Sequence, residues 1–106
     1  MTERRVEVLV HSARGGIRRI EREASWSDGG LAVTAGDAPG LWTVTLIRGG
    51  RGVFKNMNEH SHAVHAAEAL LALGDWQRDE QTIFGDEVLH AAAKALAKRL
   101  QREGGW

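Results

Sequence analysis

The chain contains no cysteine, only one proline and no long apolar run. The absence of cysteine excludes disulfide bridges, a thiol nucleophile and the cysteine-based zinc-binding motifs. The longest apolar stretches are much shorter than a transmembrane helix, so we expect no membrane association. The opening residues, MTERRVEV, also lack the apolar segment of a signal peptide. The sequence therefore predicts a cytoplasmic protein.

An excess of charge of either sign is also missing. Fourteen basic residues balance fourteen acidic residues. Because the summed charge creates no overall field, nothing steers the whole chain toward nucleic acid or an anionic membrane. At 106 residues the chain has the length of a single domain, which we place at residues 1–106. Such a domain buries one core and has no room for a deep enclosed active site beside a second domain.

The first half of the chain alternates between apolar and polar residues, as β-strands do. Four runs show this pattern, at residues 6–10, 31–35, 41–47 and 53–57. A further run, IRRIEREASW at residues 17–26, fits a strand with Ile20, Ala24 and Trp26 on one face. Its arginine and glutamate content would also suit a helix. Glycine-rich turns, including RGGRG at residues 48–52, separate the runs. We predict an antiparallel meander of four to five strands within residues 4–56.

After residue 57 the apolar residues recur with the period of an α-helix. A first helix is predicted at about residues 60–73, with Ser61 or Asn58 as its N-cap and Gly74 as its C-cap. Its buried face would consist of Ala63, Val64, Ala67, Leu70 and Leu71.

A second helix is predicted at about residues 86–102, where an apolar stripe faces a polar stripe. The apolar stripe is Leu89, Ala92, Ala93, Leu96 and Leu100, and the polar stripe is His90, Lys94, Lys98 and Gln101. The connector between the helices offers Trp76 and Phe84 to the core. Strands followed by helices indicate the α+β class, with both helices on one face of the sheet. The other face would be exposed and would carry Arg18 or Arg19, Thr43, Thr45, Arg51 and Lys55.

The stretch NEHSHAVHAAE, residues 58–68, contains three histidines and two glutamates. His60, His62, His65 and Glu68 have the ligand types that zinc and other divalent ions accept. However, two-histidine helical sites normally use a spacing of four, and His62 and His65 are three apart. Solvated histidines at a helix start are the favoured interpretation, and we expect no cofactor. A metal-dependent activity at this cluster is the last of three functional alternatives.

Residues 41–73 resemble a pattern found in phage and mobile-element proteins: an aromatic-bearing strand, a glycine turn, a second strand and an alanine-rich helix. The pattern is similar to small uncharacterised phage proteins and to the AP2-like DNA-binding domain at the start of many phage integrases. The latter resemblance implies a sheet that lies in the major groove. Its contact positions would be Thr43, Thr45, Arg48, Arg51 and Lys55. Such domains are generally basic, whereas this chain is neutral, and DNA affinity depends on phosphate neutralisation.

The favoured functional hypothesis is a small, non-enzymatic binding or regulatory protein, phage-encoded as the resemblance implies. It would act through protein–protein contacts or self-association. The small size and neutrality of the chain favour this hypothesis, as does the absence of a recognisable serine nucleophile with an orienting acid. Trp106 follows Gly104–Gly105 and would anchor a partner. The second hypothesis is a nucleic-acid-binding module that uses the sheet face.

Overall fold

The computed structural model describes residues 4–11 and 15–103. It confirms the α+β class: a five-stranded antiparallel sheet in the order β1-β2-β3-β4-β5 is followed by helices that pack on it. The elements are β1 (Arg4–His11), β2 (Ile17–Asp28), β3 (Leu31–Ala35), β4 (Trp42–Leu46), β5 (Gly52–Met57), α1 (His60–Leu71), α2 (Glu80–Phe84) and α3 (Glu87–Arg102). Within the described ranges, no helix has the length and apolar character needed to span a bilayer.

The turn between β2 and β3 shows why the meander is tight. Asp28 pairs with Leu31, so only Gly29 and Gly30 form the loop, and their φ angles are +56° and +94°. Two central residues with positive φ make a type I′ turn, whose twist matches that of the flanking strands. Strand β2 spans Ile17–Asp28, so the interpretation of residues 17–26 as a strand, not a helix, is correct.

A β-bulge in β2 overturns one detail of that interpretation. Ala24 pairs with Thr34, but Trp26 pairs with Val33, so Ser25 is an extra residue between them. One extra residue reverses the side to which every later side chain points. Ala24 and Trp26 therefore lie on opposite faces of the sheet, not on the same face as predicted.

The sheet coils until its first strand reaches the turn before its last strand. The backbone N–H of Leu9 in β1 donates a hydrogen bond to the carbonyl oxygen of Gly50, at 2.9 Å. The coiled sheet encloses a small second core, which consists of Val6, Val8 and Ala32 with Val10, Ile20, Ala24 and Ile47 packed against it. The prediction that Thr45 lies on an exposed sheet face is therefore wrong, since this residue is only 1% exposed. Arg18, Arg19, Arg51 and Lys55 are exposed as predicted, and Thr43 is half-buried.

The main core lies on the other side of the sheet, under α1. Ala63, Ala67 and Leu70 are fully buried as predicted, and Ala66 joins them. The predicted caps are wrong. Glu59 is the N-cap and makes no capping hydrogen bond through its side chain, and Ala72 is the C-cap. The helix ends before Gly74 can cap it.

Helix α3 carries the predicted stripe, with Leu89, Leu96 and Leu100 buried. The connector before it contains the short helix α2, which the periodicity did not predict because it spans hardly more than one turn. Trp76 is buried as expected, and its indole N–H donates to the Leu70 carbonyl oxygen at 2.8 Å. The prediction that Phe84 fills the core is wrong, since this side chain is 42% exposed.

Candidate functional site

A groove of about 800 Å³ runs between α3 and the β5 edge of the sheet. Its floor is the main core itself, which presents Leu46, Phe54, Trp76, Ile83 and Leu89. Its volume lies within the range of protein ligand sites, and an apolar floor is typical of them. The groove is larger than two other concave features of the described chain, whose volumes are about 130 and 470 Å³.

One rim of the groove is a stack of side chains around Phe84. The Arg51 guanidinium carbon lies 4.9 Å from the centre of the Phe84 ring, and the His90 ring centre lies 6.5 Å from it on the α3 side. Arg51 also donates from Nε to Glu80 Oε1 at 3.0 Å. The cation–π contact and the ion pair join α2 to the start of β5. This explains why an aromatic ring stays at the surface beside the groove.

The opposite wall is the α3 surface formed by Ala93 and Ala97, which are one turn apart and half-buried. Small side chains at this spacing let another helix approach closely. From His90 to Ala97 the wall is about 10 Å long, or two turns. His90 and Lys94 form its exposed lip. The described residues that line the groove include no Asp or Glu. The charged side chains among them, Arg51 and Lys94, are basic.

A second cavity, of about 130 Å³, lies inside the coil of the sheet on the face away from the helices. Thr34 and Thr45 are both 1% exposed there, and their hydroxyl oxygens are 3.0 Å apart. Arg22 and Lys55 also line this cavity, together with Asp37. The cavity is thus polar and carries two cations and one carboxylate.

The predicted binding residues separate into three places. Thr43, Thr45 and Lys55 meet at the small cavity. Arg51 lies at the groove rim, and Arg48 is exposed in the β4–β5 turn. The structure therefore does not unite them on one DNA-reading face. The predicted anchor Trp106 lies outside the described residues.

The three histidines of the first helix diverge. His60 Nε2 lies 2.7 Å from Ser25 Oγ, and its ring meets the Trp42 ring edge-on, with centroids 4.6 Å apart. His62 Nε2 instead faces Glu59, at 3.6 Å. His65 and Glu68 are exposed. Among the residues that the structure describes, no three His, Asp or Glu side chains are grouped to hold a metal ion.

The Ser25–His60 pair has the nucleophile and base of a hydrolase but not the third member. Ser25 Oγ also lies 3.2 Å from the Val33 carbonyl oxygen, so its single hydrogen has two competing acceptors. His60 makes no hydrogen bond to a carboxylate within the described chain. A serine nucleophile needs an oriented base. We interpret this pair as a polar contact that joins the β2 bulge to the start of α1.

Two aspartates cap the helices that border the groove. The Asp86 carboxylate accepts from the Leu89 backbone N–H at 2.9 Å and from Arg78 at 3.0 Å. The backbone hydrogen bond, and then the Arg78 guanidinium, hold the Asp86 pKa below its ordinary value. Asp79 similarly caps α2, and its hydrogen bond from the Thr82 hydroxyl lowers its pKa. Both carboxylates stabilise helix starts as anions.

Sequence reasoning missed the groove residues Phe84, Ala93 and Ala97. Ala93 was assigned to the buried stripe, but it lies at its margin, where the stripe meets the groove. One signal was available: the apolar stripe of the last helix is widened by alanines, which leave space where larger residues would fill it.

Comparison of the chain with protein-family models, with curated proteins and with solved structures yields no match.

Proposed function

We propose that this protein is a non-enzymatic protein-binding module whose groove between α3 and β5 takes an amphipathic helix of a partner protein. The observation that carries the proposal is a groove of about 800 Å³ with an apolar floor and no carboxylate among its described lining residues. Helix-in-groove recognition requires this combination of an apolar trough and a polar lip.

The dimensions and charge of the groove favour a helix with acidic flanking residues. The wall from His90 to Ala97 accommodates about two turns of a partner helix, which would place its apolar residues at i, i+3, i+4 and i+7 on the floor. Lys94 and His90 on the lip would then face the flank of that helix. Acidic residues there would complement the lip and speed association. Phe84, already exposed and held between Arg51 and His90, is the expected aromatic anchor.

The test is a selection of peptide binders followed by affinity measurements on matched variants. A library of amphipathic helical peptides with randomised flanking residues is selected against the wild-type protein. Binding is then measured by calorimetry to the wild type, to Ala93→Gln and to Ala95→Gln. Glutamine is a good helix former and adds the same volume at both sites, but Ala93 lines the groove and Ala95 is exposed away from it.

We expect selected peptides to carry Asp or Glu beside the apolar positions. We expect Ala93→Gln to weaken them by about tenfold or more and Ala95→Gln to leave them unchanged. The proposal fails if no peptide binds more tightly than about 100 µM, or if Ala93→Gln has no effect. Self-association of the wild type that is lost in Ala93→Gln would also contradict it, because a second copy would then occupy the groove.

A further inference from the structure

We propose that the small cavity inside the coiled sheet is a binding site for a phosphate-type oxyanion. This site is separate from the groove: it lies on the other face of the sheet and is lined by all five strands or the turns between them. Its volume of about 130 Å³ is well below the roughly 300–1,000 Å³ of pockets that hold whole small molecules. It is too small for a whole cofactor but has room for one oxyanion group.

The buried threonine pair supplies the first argument. Thr34 and Thr45 carry one hydroxyl hydrogen each, and a single hydrogen bond joins their oxygens across 3.0 Å. That bond uses one hydrogen. In the part of the chain that the structure describes, the second hydrogen has no protein acceptor, although both side chains are 1% exposed. A buried donor without an acceptor is costly, so the cavity favours an acceptor-rich ligand.

Arg22 supplies the second argument. Its Nη1 donates to the carbonyl oxygens of Ala35 at 2.9 Å and Gly36 at 2.8 Å, which fixes the guanidinium at the cavity wall. Its Nε and Nη2 hydrogens have no acceptor among the described residues. A guanidinium held by one nitrogen presents the others as an oriented fork, the geometry that suits phosphate oxygens.

The charges in the cavity lining favour an anion. Arg22 and Lys55 contribute two positive charges against the single negative charge of Asp37. One Asp37 oxygen, Oδ2, accepts from the Asn56 side-chain amide at 3.1 Å, while the Asp37 backbone N–H donates to the Asn56 Oδ1 at 2.9 Å. This double contact holds the carboxylate toward β5. The ligand therefore meets hydroxyl and guanidinium donors in a lining with a net positive charge, which together match an oxyanion.

Titration of ¹⁵N-labelled protein with inorganic phosphate, at constant ionic strength set by chloride, tests the proposal. We expect saturable amide shifts at Thr34, Thr45 and Lys55. The site variants are Thr45→Val, which keeps the side-chain shape, and Lys55→Gln. The control is Arg18→Gln, which removes an exposed arginine from the same strand as Arg22. Both site variants should lose saturation, and the control should retain it.

A second arm with a nucleoside monophosphate distinguishes free phosphate from the phosphoryl end of a larger molecule. If the nucleotide binds more tightly than inorganic phosphate, the site takes the phosphoryl end of a larger molecule. If the nucleotide does not bind, the site takes free phosphate. Phosphate also stabilises proteins in general by exclusion from their surface, which is why saturation and not melting temperature is the readout. Linear, unsaturable shifts, or equal responses in the site variants and the control, would overturn the proposal.

Discussion

The Leu9 backbone N–H and the Gly50 carbonyl oxygen are 2.9 Å apart, and this hydrogen bond joins the first strand to the turn before the last. The close approach of β1 to this turn requires glycine at position 50. At Gly50, where φ is +73°, a Cβ atom would lie 2.4 Å from the Glu7 carbonyl oxygen and 3.0 Å from the Val8 Cα. Both neighbours are backbone atoms, which cannot rotate away. The coil of the sheet, and the cavity inside it, therefore require a residue without a side chain.

Gly50→Ala should destabilise the protein more than Gly40→Ala. Both glycines have a positive φ, +73° and +81°, so both substitutions incur the strain of about 1–2 kcal/mol for a left-handed alanine. Only Gly50→Ala adds a backbone clash, since a Cβ at Gly40 meets nothing within 4 Å. Urea unfolding monitored by tryptophan fluorescence measures the difference. Equal losses would show that β1 does not pack on the turn.

Leu96→Ala should reduce the free energy of unfolding by about 2–5 kcal/mol, because Leu96 is 6% exposed in the apolar stripe of α3. Lys98→Ala, on the exposed side of the same helix, should change it by less than about 0.5 kcal/mol. Thermal and urea unfolding of both variants test the packing of α3. Identical stability of the two variants would contradict the assignment of the stripe.

Asp86→Asn should make the free energy of unfolding less sensitive to a fall in pH. The folded-state pKa of Asp86 is lowered, first by the Leu89 backbone hydrogen bond and then by Arg78, so its contribution is present at neutral pH. That contribution is lost as the pH falls below about 5 and through the folded-state pKa. Asparagine still caps the helix, so the variant isolates the charge. The midpoint of urea unfolding should differ between wild type and variant at neutral pH, and the difference should shrink as the pH is lowered. A difference that does not change with pH would contradict the prediction.

The histidine cluster should bind no metal tightly, because His60, His62 and His65 face three different surroundings. Zinc and EDTA should leave the melting temperature of untagged protein unchanged, since a tight ligand would raise it by mass action. Stoichiometric zinc after purification that is lost in His62→Ala or His65→Ala would contradict this expectation and favour the metal hypothesis.

Random duplex DNA should not shift in a mobility assay at about micromolar protein and physiological salt. Of the predicted phosphate contacts, Arg51 is paired with Glu80 and Lys55 lines the small cavity, so neither joins Arg48 on one phosphate-binding face. Each phosphate contact contributes about one power of salt dependence, so a few contacts give weak binding. A salt-sensitive shift that disappears in the Arg51→Ala, Lys55→Ala double variant would make the nucleic-acid hypothesis the leading one.

The local pattern of the chain was sufficient to predict the five strands and the two longer helices, but not the short helix α2. Alternation at Val6, Val8 and Val10 predicted β1, and the three-to-four spacing of Leu89, Ala93, Leu96 and Leu100 predicted α3. Such periodicity indicates which face of an element is buried. Glycine pairs marked the turns, since positive φ is a local requirement. The α+β class followed from the order of these elements.

Only the tertiary structure decided where the faces and sites lie. The bulge at Ser25 reverses the face of Trp26, and no local propensity announces an extra residue in a ladder. Burial of Thr45 results from the coil that brings Leu9 to Gly50, a contact between residues 41 positions apart. The groove likewise exists because α3 leaves space beside β5, which depends on how Ala93 and Phe84 are juxtaposed across it. Periodicity shows that a face is buried; the packing of distant segments determines what it is buried against and where it stays open.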